Sequence, residues 1–495
     1  MLTRARTLIA CAAAATIAGA AAAAAGSAGA LARTASLAVK PAPAPAGLPK
    51  AAGTASPIKH VVVIYVENHS FDNLLGYWCD HNPGRCPDGG MPSSVTLSNG
   101  AVVTPSVAKD RVPAIDHSVA SQVAAMDGGR MDGWQNIKYG GCDAATGYRC
   151  IRGYQPSQIP NLTRLSGQFA ISDDTFSMAD SPSWGGHLYA VAGTLDGFTG
   201  DNPHPAKGVT PGLGWGCDSS KVTTWISPAG LRKTEPSCIP DPALGLAHGG
   251  AFRSTPVPHI PTIMDRLDAA GLSWRIYGTT AAQANPGDKT LSGGYAWSIC
   301  PTFAGCLDTS QDQNLVSAAD FRHDARNGVL PAFSVVTPGG PDFNDSCHNS
   351  FSMTACDNWI GSLVQSVQDG PDWSSTAIFI TFDDFGGFYD QVPPPATLNA
   401  NGQQAGPRAP LIIVSPYARP GYTDTKATTF AGILAYTEDA FGLAPLGPND
   451  AAAYDFSNAF DYSQTPLKPG PMTFRPLPYW ARHLHLTRAM LDDPT

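Results

Sequence analysis

The sequence predicts an α/β protein, with a mainly parallel central sheet flanked by helices and long loops stapled by disulfides. Three observations carry that prediction. First, Val61–Val66 (VVVIYV) and Ala377–Phe382 (AIFITF) are short runs, mostly β-branched or aromatic, of the kind buried on both faces of a parallel sheet. Second, strand-like and helix-like patterns alternate from residue 258 to 442, which implies parallel strands joined by right-handed crossovers. Third, ten of the eleven cysteines fall into close neighbours along the chain.

In chain order, Arg4 and Arg6 precede an alanine-rich apolar run, Leu8–Ala25, and small residues at Ala28, Ala30 and Ala32 offer cleavage sites. Residues 1–32 therefore read as a signal peptide, which predicts a secreted or extracytoplasmic protein. Residues 33–56, with PAPAPAG at Pro41–Gly47, read as a linker that has nothing to bury. A single domain is expected over 57–495. In an exported chain the simplest pairing of cysteines is five local loops: Cys79 with Cys86, Cys142 with Cys150, Cys217 with Cys238, Cys300 with Cys306, and Cys347 with Cys356. None has the C-x-x-C spacing of a thiolate zinc site.

The stretch Leu74–Pro113 is rich in Gly, Pro and Asn and predicts a loop excursion, and Asp116 or Ser118 can cap a following helix. Phe169–Ser172 (FAIS) predicts another strand. Residues 196–258 read as irregular. Strands are expected in LSWRIYG, AFSVVTP and PLIIVSP, and helices in PTIMDRLDAAG, around Trp359–Val367, and in FAGILAYTEDAFG. The tail beyond Asp450 reads as a wrap, without a strand series.

Both buried runs stop at polar residues, Glu67–Asn68 after the first and Asp383–Asp384 after the second. Ligands in open α/β sheets bind beyond the carboxyl ends of the strands. If the two runs lie side by side, three carboxylates and an amide oxygen meet at one edge. Such a set repels itself unless a hard cation holds it together. Ser183 lies in ADSPSWGGHLYAVAG, where a Ser- and Gly-rich turn meets a helical pattern. A helix N-terminus there would favour an anion, although a serine in such a turn is as readily a simple cap.

Three motifs, ENHSFDNLLG (Glu67–Gly76), SPSWGGHLYAVAG (Ser181–Gly193) and TFDDFGGFYDQVPPP (Thr381–Pro395), resemble the bacterial phosphoesterase family of phospholipases C and periplasmic acid phosphatases. That family belongs to the alkaline-phosphatase-like superfamily, and IDHS, GRMDGW and PLIIVSPYA support the match. The resemblance implies an alkaline-phosphatase-like fold and one divalent metal ion, Ca, Mg, Mn or Zn, held by Glu67, Asn68, Asp383 and Asp384. It implies Ser183 as nucleophile, with His117 and His348 as candidates to protonate the leaving oxygen or bind a phosphoryl oxygen. Asp132 and His187 are further candidates, and His69, where relatives often carry Arg, reads as a supporting or surface residue. Gly185 and Gly186 stand where relatives show Pro-Asn, which predicts a more flexible nucleophile turn.

A phosphate-ester substrate follows from the resemblance, with a phospholipid as one form and transient contact with a membrane surface as a corollary. A phospholipase-C-like diesterase is favoured over an acid phosphatase on the usual activity of the family that the chain resembles, not on any residue; GGYAWSICPTF stands where the acid phosphatase branch has adjacent histidines, so the phosphate contacts made there by relatives do not carry over and the leaving group stays open. Tyr295 and Trp297 in that stretch read first as packing residues and second as a cage for a choline group. No cysteine has the C-x-P-x-R setting of a sulfatase. A catalytically silent binding protein would lack the nucleophile or a ligand, and all are present. A net charge of -9 with 14% charged residues and no basic tract beyond the N-terminus argues against nucleic acid as a partner. Oligomeric state is open.

Overall fold

The computed structural model describes residues 56–245, 255–284, 293–400 and 402–486. The expected signal peptide and nearly all of the expected linker lie outside them. The described residues belong to one compact unit, Thr54–Thr495.

Its centre is an eight-stranded sheet made of β1 (His60–Val66), β2 (Ala170–Ser172), β3 (Trp274–Gly278), β4 (Leu315–Ser317), β5 (Phe333–Val336), β6 (Thr376–Phe382), β7 (Leu411–Val414) and β8 (Thr423–Asp424). The spatial order is β4-β3-β5-β1-β6-β7-β2-β8. β1 pairs in parallel with β5 on one side and β6 on the other, as the two apolar runs predict. All of β6 and all of β1 except His60 are buried, and each large aliphatic side chain so placed contributes roughly 1.5–3 kcal/mol. One strand departs from the parallel pattern: β7 runs antiparallel to both β6 and β2. Its link from β6 is a long loop, so no helical crossover is needed.

Around the sheet stand α1 (Phe71–His81), α2 (Val119–Met126), α3 (Ser183–Ala192), α4 (Ile263–Ala269), α5 (Met353–Gln368) and α6 (Ala431–Phe441). Ser118 caps α2, its hydroxyl accepting from the Ser121 N–H. α1 corrects the sequence reading, which placed loop from Leu74. Ser70 caps it by accepting from the Asn73 N–H, and Leu74, Leu75 and Trp78 on it are buried. Tertiary burial outweighs the low helix propensity of Asn73 and Gly76.

The second correction is the stretch after residue 196, read as irregular. It contains a three-stranded antiparallel sheet of Phe198–Pro205, Lys221–Ile226 and Arg232–Pro236. In the central strand, buried and part-buried residues alternate, as a sheet with one covered face requires.

All five cysteine pairs are bonded in the expected local pattern. Each bond constrains the unfolded chain around the loops that border the sheet. The tail returns to the body without strands: the Thr473 N–H donates to Asn161 Oδ1 and the Arg475 N–H to Asn358 Oδ1. Among the described residues no helix is long and apolar enough to cross a membrane.

Candidate active site

Parallel pairing aligns Val66 with Phe382, so the residues that follow, Glu67 and Asp383, leave the sheet side by side. Asn68 then turns back with φ of 64°, a left-handed conformation that asparagine tolerates better than most residues. Its N–H donates to Asp383 Oδ1 at 2.9 Å. The opposite turn needs glycine. Gly386 has φ of 61°, and a Cβ there would lie 2.1 Å from the Asn68 carbonyl oxygen.

α3 brings the third component. Its first residue is Ser183, whose Oγ lies 3.2 Å from Asp384 Oδ2 and 3.3 Å from Asn68 Oδ1. Asp384 is held in turn, its Oδ1 accepting from the Gly386 N–H at 2.7 Å. The two glycines after Trp184 do not loosen this turn, contrary to the sequence reading. Both are buried in the helix, where a Cβ on Gly186 would lie 2.9 Å from the Asp383 carbonyl oxygen and one on Gly185 2.2 Å from the Ser181 Cβ. Small size here lets the helix approach the end of β6.

One turn along α3, His187 Nε2 lies 2.6 Å from Glu67 Oε1. Glu67, His187 and Asp383 each offer a ligand atom, all within 4.8 Å of one another, and all three are buried. His187 thus joins the cluster, as the sequence had it only in second rank. Burial first, and then the neighbouring Asp384, push the Asp383 carboxyl up to about 7. Tyr65, one residue before the end of β1, was missed by sequence reasoning. Its hydroxyl is pushed well above the ordinary phenol range by burial and then by Asp383, Glu67 and Asp384, so it stands against all three carboxylates. A phenol inside an otherwise apolar run was the available signal.

Both candidate histidines converge on Asn68. Its amide nitrogen is 3.1 Å from His117 Nε2 and 2.8 Å from His348 Nε2, and the two rings are 6.2 Å apart. Turning the amide over would instead set nitrogen against both Asp383 oxygens, at 3.0 and 3.2 Å. The Ile115 carbonyl decides between them. It lies 2.9 Å from His117 Nδ1 and can only accept, so a neutral His117 carries its proton on Nδ1 and presents an acceptor at Nε2. The two amide hydrogens then serve the two histidines. Asn68 Oδ1 is left between the Asp383 carboxylate oxygens and the Ser183 hydroxyl, an oxygen-rich arrangement that a cation among them satisfies. The residues therefore fit a divalent ion.

His69 is buried, not on the surface. It sits 3.0 Å from the Cys347 carbonyl oxygen and stacks on Phe388 at 5.2 Å, tying the first motif to the loop that carries His348. Trp297 packs on Phe343 and on His348, and the Tyr295 hydroxyl donates to Asp218, which fits the packing reading. Asp132 takes another place: it faces Arg130 at 3.6 Å, while Trp134 of the same stretch packs on Phe385 and Tyr389. A second group of carboxylates, Asp88, Asp173 and Asp174, gathers beyond β2.

Arg408 was also missed. It is buried, with Nε donating to Asp390 Oδ1 at 2.8 Å, Nη2 to Asp72 Oδ1 at 3.1 Å, and its guanidinium 4.5 Å from the Phe71 ring centroid. Asp72 and Asp390 lie within two of the signature motifs, so one cation locks both.

A parallel α/β sheet whose strand ends gather carboxylates around a buried helix-terminal serine defines a hydrolase-like scaffold with an ion-binding edge. The chain belongs to the Phosphoesterase family, whose profile matches residues 58–444. Among similar proteins, a non-hemolytic phospholipase C of Pseudomonas aeruginosa is 23% identical, the alignment covering 85% of this chain and 59% of that protein. A phospholipase C B of Mycobacterium tuberculosis is 25% identical, covering 84% and 80%. Non-specific phospholipase C6 of Arabidopsis thaliana is 24% identical, covering 84% and 75%. The chain thus spans little more than half the length of the Pseudomonas relative.

Proposed function

We propose that the chain is an exported, metal-dependent phosphoesterase that cleaves phosphodiesters of the phospholipid type through a phosphoserine at Ser183. The observation that carries this reading is the position of Ser183 Oγ, within hydrogen-bond reach of both Asp384 and Asn68 at the head of α3. When bound, one divalent cation would supply Lewis acidity and lower the pKa of the serine hydroxyl. Glu67, Asn68, Asp383 and Asp384 would hold it, with His187 as a further donor. The oxygen atoms admit Ca, Mg, Mn or Zn, and an imidazole among them suits Mn or Zn better.

The chain's own residues and water account for the proton and charge movements. Ser183 gives its proton to Asp384 as Oγ bonds to phosphorus. The phosphorus–oxygen bond to the alcohol breaks in line and the departing oxygen takes a proton from a water molecule, while His117 and His348, which accept from the Asn68 amide, orient that side chain. The dipole at the start of α3 favours the phosphoryl anion there. Water then cleaves the phosphoserine and restores the hydroxyl. The named activity of the relatives supports a phospholipid as substrate, and the five disulfides support an extracytoplasmic site of action.

A substrate panel tests the reading: phosphatidylcholine, phosphatidylinositol, sphingomyelin and small monoesters, each with and without chelator. Chelator-sensitive release of a phosphorylated headgroup is expected. Turnover of monoesters alone would make the chain an acid phosphatase, and no turnover of any ester would refute the proposal.

A further inference from the structure

The stretch that precedes His117 and the residue Ser350 that follows His348 help to line an open pocket of about 450 Å³, whose wall includes Lys109, Arg111, Arg149, Arg152 and Thr146. Four of its nine lining residues are basic. At the chain's average of 31 basic residues in 495, a wall of that size would hold fewer than one. Such clustering is the more marked in a chain of net charge -9.

The architecture holds these cations together. Residues 109–114 pair with the 350–352 segment through the Val112 N–H to the Phe351 carbonyl and the Ser350 N–H to the Val112 carbonyl. The Cys142–Cys150 bond fixes the opposite wall next to Arg149 and Arg152. Local carboxylates do not neutralise the set. Asp110 accepts from Ser352 and the Thr354 N–H, and Asp143 is exposed and turned to Thr146, acting on Arg149 only weakly. Arg152 Nε is buried without a hydrogen-bond partner among the described residues. Burial first, and then the neighbouring Arg149, hold the Arg152 guanidinium below its ordinary pKa.

We propose that this pocket is a second anion site, separate from the Ser183 centre, in which Lys109, Arg111, Arg149 and Arg152 hold a phosphate group of a ligand. Guanidinium forks match phosphate oxygens in pairs, and an anion offsets the mutual repulsion of the four cations. The volume exceeds that of inorganic phosphate and suits a phosphorylated headgroup or a soluble phosphate ester of similar size. This proposal does not rest on the reading of Ser183.

The test uses the full disulfide-bonded chain and two variants, R149Q/R152Q and K109Q/R111Q, the latter at exposed positions that leave folding intact. Calorimetric titration with inorganic phosphate should show a second phosphate per chain in the wild type, weakened at least about tenfold in both variants. Hydrolysis of a soluble chromogenic ester should stay within about twofold of wild type. Vesicles of phosphatidylcholine with and without phosphatidylglycerol distinguish the source. Loss of retention on the anionic vesicles in the variants identifies a lipid headgroup, and unchanged retention with lost phosphate binding identifies a soluble phosphate. Unchanged phosphate binding in both variants overturns the proposal. So does loss of hydrolysis together with binding, because the pocket would then belong to the catalytic centre.

Discussion

Arg408 donates through Nε to Asp390 at 2.8 Å, and the same guanidinium reaches Asp72 at 3.1 Å, so two motifs more than three hundred residues apart share one buried charge. Removing one partner of such a group leaves the others buried and uncompensated, at a cost of roughly 3–5 kcal/mol. Arg408→Met should therefore lower the urea midpoint well below that of wild type. Arg408→Lys, which keeps the charge and loses the fork, should fall between them. Equal stability of all three proteins would contradict the role given to this residue.

Ser183→Ala should reduce ester hydrolysis by on the order of 10³-fold or more while the melting temperature moves little, since the side chain removed is small. Retained turnover would remove Ser183 from the chemistry.

Metal content tests the donor set apart from turnover. Glu67→Gln and Asp383→Asn should each lose bound ion by elemental analysis of the purified protein. His187→Gln should lose part of it, because the imidazole touches Glu67 at 2.6 Å and stands within the same cluster. A His187→Gln protein with full metal content would reduce that histidine to an orienting contact for Glu67.

Gly186 fixes the distance between α3 and the end of β6. In Gly186→Ala the new Cβ meets the Asp383 backbone oxygen at 2.9 Å, an approach that only displacement of the helix relieves. Overpacking of this kind costs about 1–3 kcal/mol. The loss in kcat should exceed what that destabilisation implies, because Ser183 moves with the helix. Chemical denaturation alongside steady-state kinetics separates the two effects.

The carboxylate-lined edge of the sheet was legible because it obeys local rules. A buried apolar run announces a strand, and the first polar residues beyond it announce what lies at its end, so Glu67, Asn68, Asp383 and Asp384 could be read without coordinates. The antiparallel sheet of residues 198–236 could not: Phe198–Pro205 contains Gly200, Pro203 and Pro205, which by propensity break strands, and only its partner strand holds it extended. Arg408 was hidden for a different reason. Between Pro407 and Ala409–Pro410 it looks like a loop arginine, and its carboxylates come from 336 and 18 residues away. His187 was visible as a residue but not as a neighbour of Glu67, since that contact depends on how closely α3 approaches β1.

Glu438 on α6 shows how a buried acid far from the chemistry sets pH dependence. Its carboxyl is buried, and its pKa is pushed up to about 9, first by burial and then by Asp450, with which it shares a hydrogen bond; the Leu446 N–H lies 3.2 Å from Glu438 Oε1 and 2.6 Å from Asp450 Oδ2. The folded chain thus keeps a proton that the unfolded chain releases near pH 4.5. Its stabilising contribution is complete below that pH and is lost as pH rises through about 9, with a slope of up to about 1.4 kcal/mol per pH unit for one proton. Glu438→Gln keeps a donor for Asp450 and an acceptor for Leu446 without the ionisation. The variant should match wild type at pH 5 and exceed it in urea-melt stability at pH 9, with the gap widening steadily between. A constant difference across that range would mean that Glu438 does not hold its proton in the folded protein.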